Sequence, residues 1–132
     1  MPRGQITDDE RTLAEAAMTK ARSNLIMNHP FYGVLALKLK LIDDDDTPTA
    51  SVDGVNLRYN SRWINKQSAV QVQGLVAHEV MHCVFSHMTR RQERDPQRWN
   101  IAADHAINLL LLDDGFILPD EGIHDVQYKD MA

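Results

Sequence analysis

The chain has 132 residues, of which 43% are hydrophobic and 25% are charged, and its formal net charge is −5. A chain of this length typically folds as one unit, so we expect a single domain over residues 1–132. The acidic balance disfavours nonspecific nucleic-acid binding, which needs a basic surface, and the single cysteine excludes an internal disulfide. The sequence has no secretory signal or membrane-length apolar run, so we expect a cytoplasmic protein without membrane contact.

Near its amino end the sequence predicts a long helix. Thr7 followed by Glu10 is the pattern of a capping box, and Asp8 and Asp9 add negative charge to the first turn. We expect the helix to run to about residue 27, because the sequence at 28–30 is Asn-His-Pro. The predicted inner face consists of Leu13, Ala16, Ala17, Ala21, Leu25 and Ile26.

The next segment predicts a small sheet. Leucines alternate with other residues over 34–42, and a period of two indicates a strand. Four consecutive aspartates at 43–46 lack the spacing of a calcium loop, so we interpret them as a solvated turn. Residues 49–59, with Asp53-Gly54 in the middle, predict a hairpin with a two-residue turn. We therefore expect about three strands, followed by a short helical link at 61–66.

The second long helix carries the most informative motif of the chain. Ser68 and Gln71 form a second capping-box pattern, and apolar residues then recur at helical spacing to about residue 89. His78 and His82 are four residues apart, so their imidazoles lie on one face of the helix and can reach one ion. Glu79 points about a hundred degrees away, which suits a general base that contacts the water of a zinc site.

Two other residues of this helix bear on the site. Gly74 lies one turn before His78, where the lack of a side chain would let another helix or a substrate come close. The alternative is a helix glycine without a special role, which costs up to about 1 kcal/mol relative to alanine. Cys83 follows His82 directly, so we expect a small buried residue that points away from the ligand face.

A third ligand is expected because catalytic zinc commonly has three protein ligands and a water. Asp95-Pro96 predicts the start of a helix that runs to about residue 112 and is closed by residues 113–115. One face of this helix carries Asn100, Asp104 and Asn108, each one turn from the next. Asp104 is the carboxylate of this stripe and our predicted third ligand, with the asparagines as candidate orienting residues. The predicted apolar face consists of Trp99, Ala102, Ala103, Ala106, Leu109 and Leu110.

Several other roles remain open from the residues alone. Asp104 could instead be a buried carboxylate in a salt bridge, and its neighbour His105 is the rival third ligand. His105 could also polarise a substrate carbonyl. His87 lies off the ligand face, and His29 and His124 are predicted in loops, from which either could approach the site.

These motifs together resemble the metallopeptidase domain that occurs beside von Willebrand A-like domains in bacteria. The matching runs are PFYG (30–33), PTASVDG (48–54), GLVAHEVMHC (74–83), RR (90–91), DP (95–96), WNIAAD (99–104), AIN (106–108) and LP (118–119). The resemblance implies an α+β, zincin-like fold, in which a small sheet packs on the active-site helix. The fold would also have an N-terminal helix and a C-terminal ligand-bearing helix. It also implies peptidase chemistry, and a von Willebrand A-like domain or an ATPase as partner. His105 departs from the family pattern, where tyrosine is more usual, so His105, Tyr128 and His124 remain candidate oxyanion donors.

From the sequence we expect a zinc metalloendopeptidase with one Zn²⁺ per chain and a peptide or protein substrate. His78, His82 and Asp104 would hold the metal, and Glu79 would act as general base. One alternative is a zinc-stabilised binding or regulatory module without catalysis, although such a module has no need of Glu79. Another alternative is a DNA-associated protease of the SprT-like type, which the acidic charge and the lack of zinc-ribbon cysteines disfavour.

Overall fold

The computed structural model describes residues 5–89 and 96–119, with side chains for residues 5–84 and 104–119. Within these ranges the elements are α1 (Asp8–Asn28), α2 (Pro30–Leu37), β1 (Lys40–Asp43), β2 (Ala50–Val52), β3 (Asn56–Tyr59), α3 (Ser61–Ile64), α4 (Ala69–Thr89) and α5 (Pro96–Asp113). The predicted α+β class with a small sheet of three strands is confirmed. No helix in the described ranges is both long enough and apolar enough to cross a bilayer.

Helix α1 begins with the predicted capping box. The Glu10 backbone N–H donates to Thr7 Oγ1 (3.2 Å), and the Thr7 N–H donates to Glu10 Oε1 (3.0 Å). The predicted inner face is wrong in part, because Leu13 is 65% exposed and Ile26 is 37% exposed. The helix turns a narrower stripe towards α2 and α4, and the buried members of that stripe are Ala14, Met18, Ala21 and Leu25.

The strand predicted over residues 34–42 is wrong in its first half, which belongs to α2. Pro30 at the first helical turn favours a helix, because its missing N–H is not needed there. Tyr32, Gly33 and Ala36 are the buried residues, and they recur at helical spacing. A side chain at Gly33 would overlap the backbone of Ile26, so α2 packs directly on α1. The leucine alternation was misleading because leucine and alanine also favour helices.

The sheet has the strand order β1-β3-β2. Strands β1 and β3 are parallel, with Leu41 opposite Leu57, whereas β2 and β3 form the predicted antiparallel hairpin. The Asp53 N–H donates to the Asn56 carbonyl (3.2 Å), so the two-residue turn lies one position later than predicted, at 54–55. Gly54 has a φ of 96°, a conformation that glycine adopts without strain. Strand β2 therefore forms one edge of the sheet, and it contacts α4.

The aspartate run at 43–46 is not simply the solvated turn that we predicted. Asp43 accepts hydrogen bonds from Arg11 Nη1 and Ser61 Oγ, both at 2.8 Å. Asp45 accepts from both terminal nitrogens of Arg11, at 2.9 and 2.8 Å. We call Arg11, Asp43, Asp45 and Ser61 the arginine–aspartate junction. It connects α1 to β1 through side chains of opposite charge, and β1 to α3 through the hydroxyl of Ser61.

Helix α5 packs against α4 with a face that differs from the predicted one. Ala106, Leu109 and Leu110 are exposed, whereas Ile107 and Leu111 are fully buried. The buried face of α5 also includes the polar residues Asp104 and Asn108, so the predicted polar stripe turns inward. The side chains of Trp99, Ala102 and Ala103 lie outside the described residues.

The carboxyl end of α5 is attached to α2. The Tyr32 hydroxyl donates to Asp114 Oδ2 (2.7 Å), and the Phe116 ring lies 5.1 Å from the Tyr32 ring. The chain then crosses α4 at Gly74, where a side chain would overlap the carbonyl oxygen of Ile117. The prediction of a close approach at Gly74 is thus confirmed. The partner is the segment after α5, not another helix or a substrate.

Candidate metal centre

Helix α4 brings its two histidines onto one face. Its start has the predicted capping box, in which the Gln71 N–H donates to Ser68 Oγ (3.2 Å) and the Ser68 N–H donates to Gln71 Oε1 (2.9 Å). Two turns later the rings of His78 and His82 lie side by side, with centroids 4.7 Å apart. The cap satisfies backbone groups that would otherwise lack partners, and it fixes where the helix begins.

Helix α5 places one carboxylate oxygen between the two imidazoles. Asp104 Oδ1 lies 2.5 Å from His82 Nε2 and 3.2 Å from His78 Nε2. The two Nε2 atoms are 3.1 Å apart. We call His78, His82 and Asp104 the histidine–aspartate group, and its three facing atoms are close enough to hold one metal ion. The structure therefore brings together the three side chains that the sequence predicts as ligands.

The histidine–aspartate group is buried on one side and open on the other. His78 is 2% exposed and Asp104 is 5% exposed, whereas the His82 side chain is 18% exposed. An ion or a substrate would therefore reach the group from the His82 side.

The protein environment favours the charged forms of Asp104 and His82. Burial alone would raise the pKa of Asp104, but hydrogen bonds with His78 and His82 outweigh it, so the pKa is lowered. Burial alone would lower the pKa of His82, but the hydrogen bond with Asp104 and the charge of Glu79 raise it. Opposite charges therefore stabilise one another in a site with little water.

Glu79 lies beside the group without belonging to it. Its side chain is only 6% exposed, and it is not among the three converging residues. Burial raises the pKa of Glu79, the negative charge of Asp104 adds to this effect, and the charges of His78 and His82 oppose it. A carboxyl group with a raised pKa accepts a proton more readily at neutral pH.

Cys83 is less buried than predicted, and it is not among the converging ligands. It is half-buried, and it lies one helical turn after Glu79. Burial raises the pKa of the Cys83 thiol, and the charge of Glu79 raises it further. Sequence reasoning missed this proximity, although the spacing of four residues between Glu79 and Cys83 could have indicated it.

Asn108 contacts the group from the far side. It lies one turn after Asp104 on α5, and its Oδ1 is 2.9 Å from His78 Nδ1. Both nitrogens of the His78 ring thus face α5, one towards Asp104 and one towards Asn108.

The rival ligand His105 is exposed and does not join the group. His29 stacks on Phe116, with centroids 4.4 Å apart. The side chains of His87 and Asn100 lie outside the described residues, as do Tyr128 and His124.

The donor set of the group fits zinc. Two imidazole nitrogens and one carboxylate oxygen are common zinc ligands, and they leave a fourth position for water in a catalytic site. In a tetrahedral zinc site the ligand atoms lie roughly 3.3 to 3.5 Å apart. The separations here are 2.5 to 3.2 Å. The three side chains would therefore move apart by at most about 1 Å to accommodate the ion.

Comparisons with known proteins agree with this picture of the site. Residues 14–130 match the family described as "Putative metallopeptidase domain". A protein of Thermotoga maritima, described as uncharacterized, is 36% identical over 101 residues, which cover 71% of this chain and 25% of that protein. The chain thus spans about a quarter of the length of this relative. No solved structure has a significant match to the chain.

Proposed function

Because the chain belongs to the family described as a putative metallopeptidase domain, we propose that it is a zinc-dependent endopeptidase. In this proposal His78, His82 and Asp104 hold one Zn²⁺ per chain. Glu79 is the general base, and the substrate is a peptide or a protein.

The observation that carries the proposal is the convergence of three ligand atoms within 3.2 Å of one another. A carboxylate oxygen and the lone pairs of two imidazole nitrogens repel one another at such distances unless a proton or a cation lies among them. A divalent cation bound among these three atoms would offset the repulsion between them. Such a group is also expensive to bury without a charge that balances it.

The chemistry follows from the residues around the ion. When bound, zinc would polarise the substrate carbonyl and lower the pKa of a water. Glu79 is buried next to the ligands but is not one of them, so its carboxylate is available to accept the proton of the attacking water. Glu79 then donates that proton to the leaving nitrogen.

The sheet supports recognition of an extended peptide. Strand β2 is an edge strand and contacts α4, the helix that carries Glu79. An extended substrate can pair with such an edge through main-chain hydrogen bonds, which select a strand conformation more than particular side chains. We therefore expect activity towards unfolded segments of varied sequence.

The test compares wild type with Glu79→Gln, and uses Glu15→Gln on the exposed side of α1 as a matched control. All three proteins should bind about one zinc per chain, because Glu79 is not a ligand. Glu79→Gln should cleave an unfolded protein substrate at least about 100-fold more slowly than wild type, and Glu15→Gln should match wild type.

Equal cleavage by wild type and Glu79→Gln would contradict the assigned base. A wild type that binds zinc but cleaves none of a panel of unfolded proteins would contradict the peptidase proposal. It would favour the alternative of a zinc-stabilised module without catalysis.

A further inference from the structure

Asn108 makes a hydrogen bond that determines which nitrogen of His78 carries a proton. Asn108 Oδ1 is 2.9 Å from His78 Nδ1, and Asn108 is only 7% exposed. A carboxamide oxygen can only accept a hydrogen bond, so His78 Nδ1 must be the donor. A neutral imidazole has one such proton, which leaves a lone pair on Nε2.

Which ring nitrogen carries the proton decides whether His78 can bind a metal through Nε2. Nε2 is the atom that faces Asp104 Oδ1 and His82 Nε2, at 3.2 and 3.1 Å. In the opposite tautomer Nε2 would carry a hydrogen pointing into the histidine–aspartate group, and that hydrogen would occupy the position of the ion. The ring orientation and the tautomer are thus both needed.

We propose that Asn108 is a positioning residue that fixes the tautomer and the ring orientation of His78 for metal binding. Asn108 acts through His78 and does not itself contact the ion. The inference rests on the proposed metal site, but not on the proposed cleavage reaction.

The spacing on α5 supports this role. Asp104 and Asn108 are four residues apart, so they lie on one face of the helix and hold the His78 ring at both nitrogens. A shift of α5 by one residue would turn the buried apolar Ile107 towards the ring in place of Asn108. The register of α5 against α4 therefore sets the ligand and its orientation together.

The second polar atom of Asn108 gives an independent argument. Asn108 Nδ2 is buried and has no hydrogen-bond partner within the described part of the chain. Burying an unpaired amide group costs stability, which a leucine of similar size would avoid. A purely structural role would favour the apolar residue, whereas orientation of His78 requires the carboxamide oxygen.

The experiment compares Asn108→Leu, which removes the acceptor, with Asn108→Asp, which retains it. Nitrogen NMR of the imidazoles in zinc-bound wild type should show that His78 carries its proton on Nδ1 and binds the metal through Nε2. In Asn108→Leu the signal of that Nδ1 proton should lose the shift of a hydrogen-bonded proton, and the affinity for Zn²⁺ alone should fall about 10- to 100-fold. Asn108→Asp should keep the tautomer and stay within about threefold of wild-type affinity, and Asn24→Leu on α1 should match wild type.

Two results would overturn the inference. One is a zinc-bound wild type in which His78 binds the metal through Nδ1, a measurement that requires no variant to fold. The other is a folded Asn108→Leu with an unchanged Nδ1–H signal and unchanged zinc affinity. A wild type that binds zinc without cleaving any substrate would contradict the peptidase proposal but leave the role of Asn108 intact.

Discussion

Two regions of this chain bring carboxylates into contact with nitrogen groups, and they differ in the source of the positive charge. In the arginine–aspartate junction, Asp43 and Asp45 pair with Arg11, which always carries its own charge. In the histidine–aspartate group, Asp104 faces two imidazoles that are charged only when protonated. The junction therefore has a permanent cation of its own for its two carboxylates, whereas the group requires protons or an external cation.

The two regions also differ in their exposure to water. The Arg11 side chain is 33% exposed, so water also solvates the charges of the junction. His78 and Asp104 are almost fully buried, where water helps little. The comparison indicates that the junction joins α1 to strand β1, and that the group, which could hold a metal ion, has no permanent cation of its own.

The largest effect is expected when one carboxylate is removed from each region, which tests whether only one of the two regions binds a metal ion. Zinc at a thousandfold excess over its Kd should raise the free energy of unfolding of wild type by about 4 kcal/mol, because it binds the folded state. Asp104→Asn should lose most of this gain. Asp43→Asn should keep the gain, although its metal-free stability should fall by about 1 kcal/mol.

Chemical denaturation with zinc and with a chelator measures these differences. A similar zinc-dependent gain in Asp104→Asn and wild type would mean that the ion binds elsewhere. Loss of the gain in Asp43→Asn would mean that the two regions are not independent.

A smaller effect is expected from Gly74→Ala, which tests how the region around the metal helix is packed. The new methyl group would overlap the carbonyl oxygen of Ile117, which belongs to the backbone and cannot rotate away. Overpacking of this kind typically costs about 1 to 3 kcal/mol, in excess of the helix propensity gained from alanine. Urea denaturation should show this loss, whereas the control Gln73→Ala should stay within about 0.5 kcal/mol of wild type. Unchanged stability in Gly74→Ala would show that the segment can move away from α4.

The smallest effect is a pH dependence at the half-buried ion pair between Glu10 and Arg62. The hydrogen bond from Arg62 is the main cause that lowers the pKa of Glu10 from 4.5 to about 2. Because the folded-state pKa lies below the unfolded one, this pair stabilises the folded state above pH 4.5, and the contribution is lost as the pH falls towards 2. In metal-free Glu10→Gln, the stability should therefore fall less steeply over this interval than in wild type.

Thermal denaturation at several pH values measures that slope, with Glu15→Gln as the control. Parallel curves for wild type and Glu10→Gln would contradict the assignment of the lowered pKa to this pair.

Local signals in the sequence predicted the parts of the fold that depend on few residues. The capping boxes at Thr7 and Ser68 were predicted because both partners lie within one turn. The same holds for His78 and His82, whose spacing places them on one helix face, and Asp104 followed from the polar stripe of α5. The tautomer-determining contact of Asn108 needs coordinates, although its position on the stripe was visible.

The sequence predictions were wrong where the structure depends on contacts between residues that are distant in the sequence. Leu109 and Leu110 are as apolar as Ile107 and Leu111, so composition cannot tell which pair faces α4. The partner of Asp43 is Arg11, 32 residues earlier, and no local pattern connects them. Residues 34–37 belong to a helix that packs on α1 at Gly33, and this tertiary contact is not visible in the local leucine pattern.

The hydrogen bond between Tyr32 and Asp114 has a consequence for the order of folding. It joins residues 82 positions apart, whereas the contacts of Asp104 with the two histidines join residues 22 and 26 positions apart. Closing the longer loop costs more chain entropy, so we expect this attachment to form after the transition state. Weakening it should therefore accelerate unfolding while leaving the folding rate nearly unchanged.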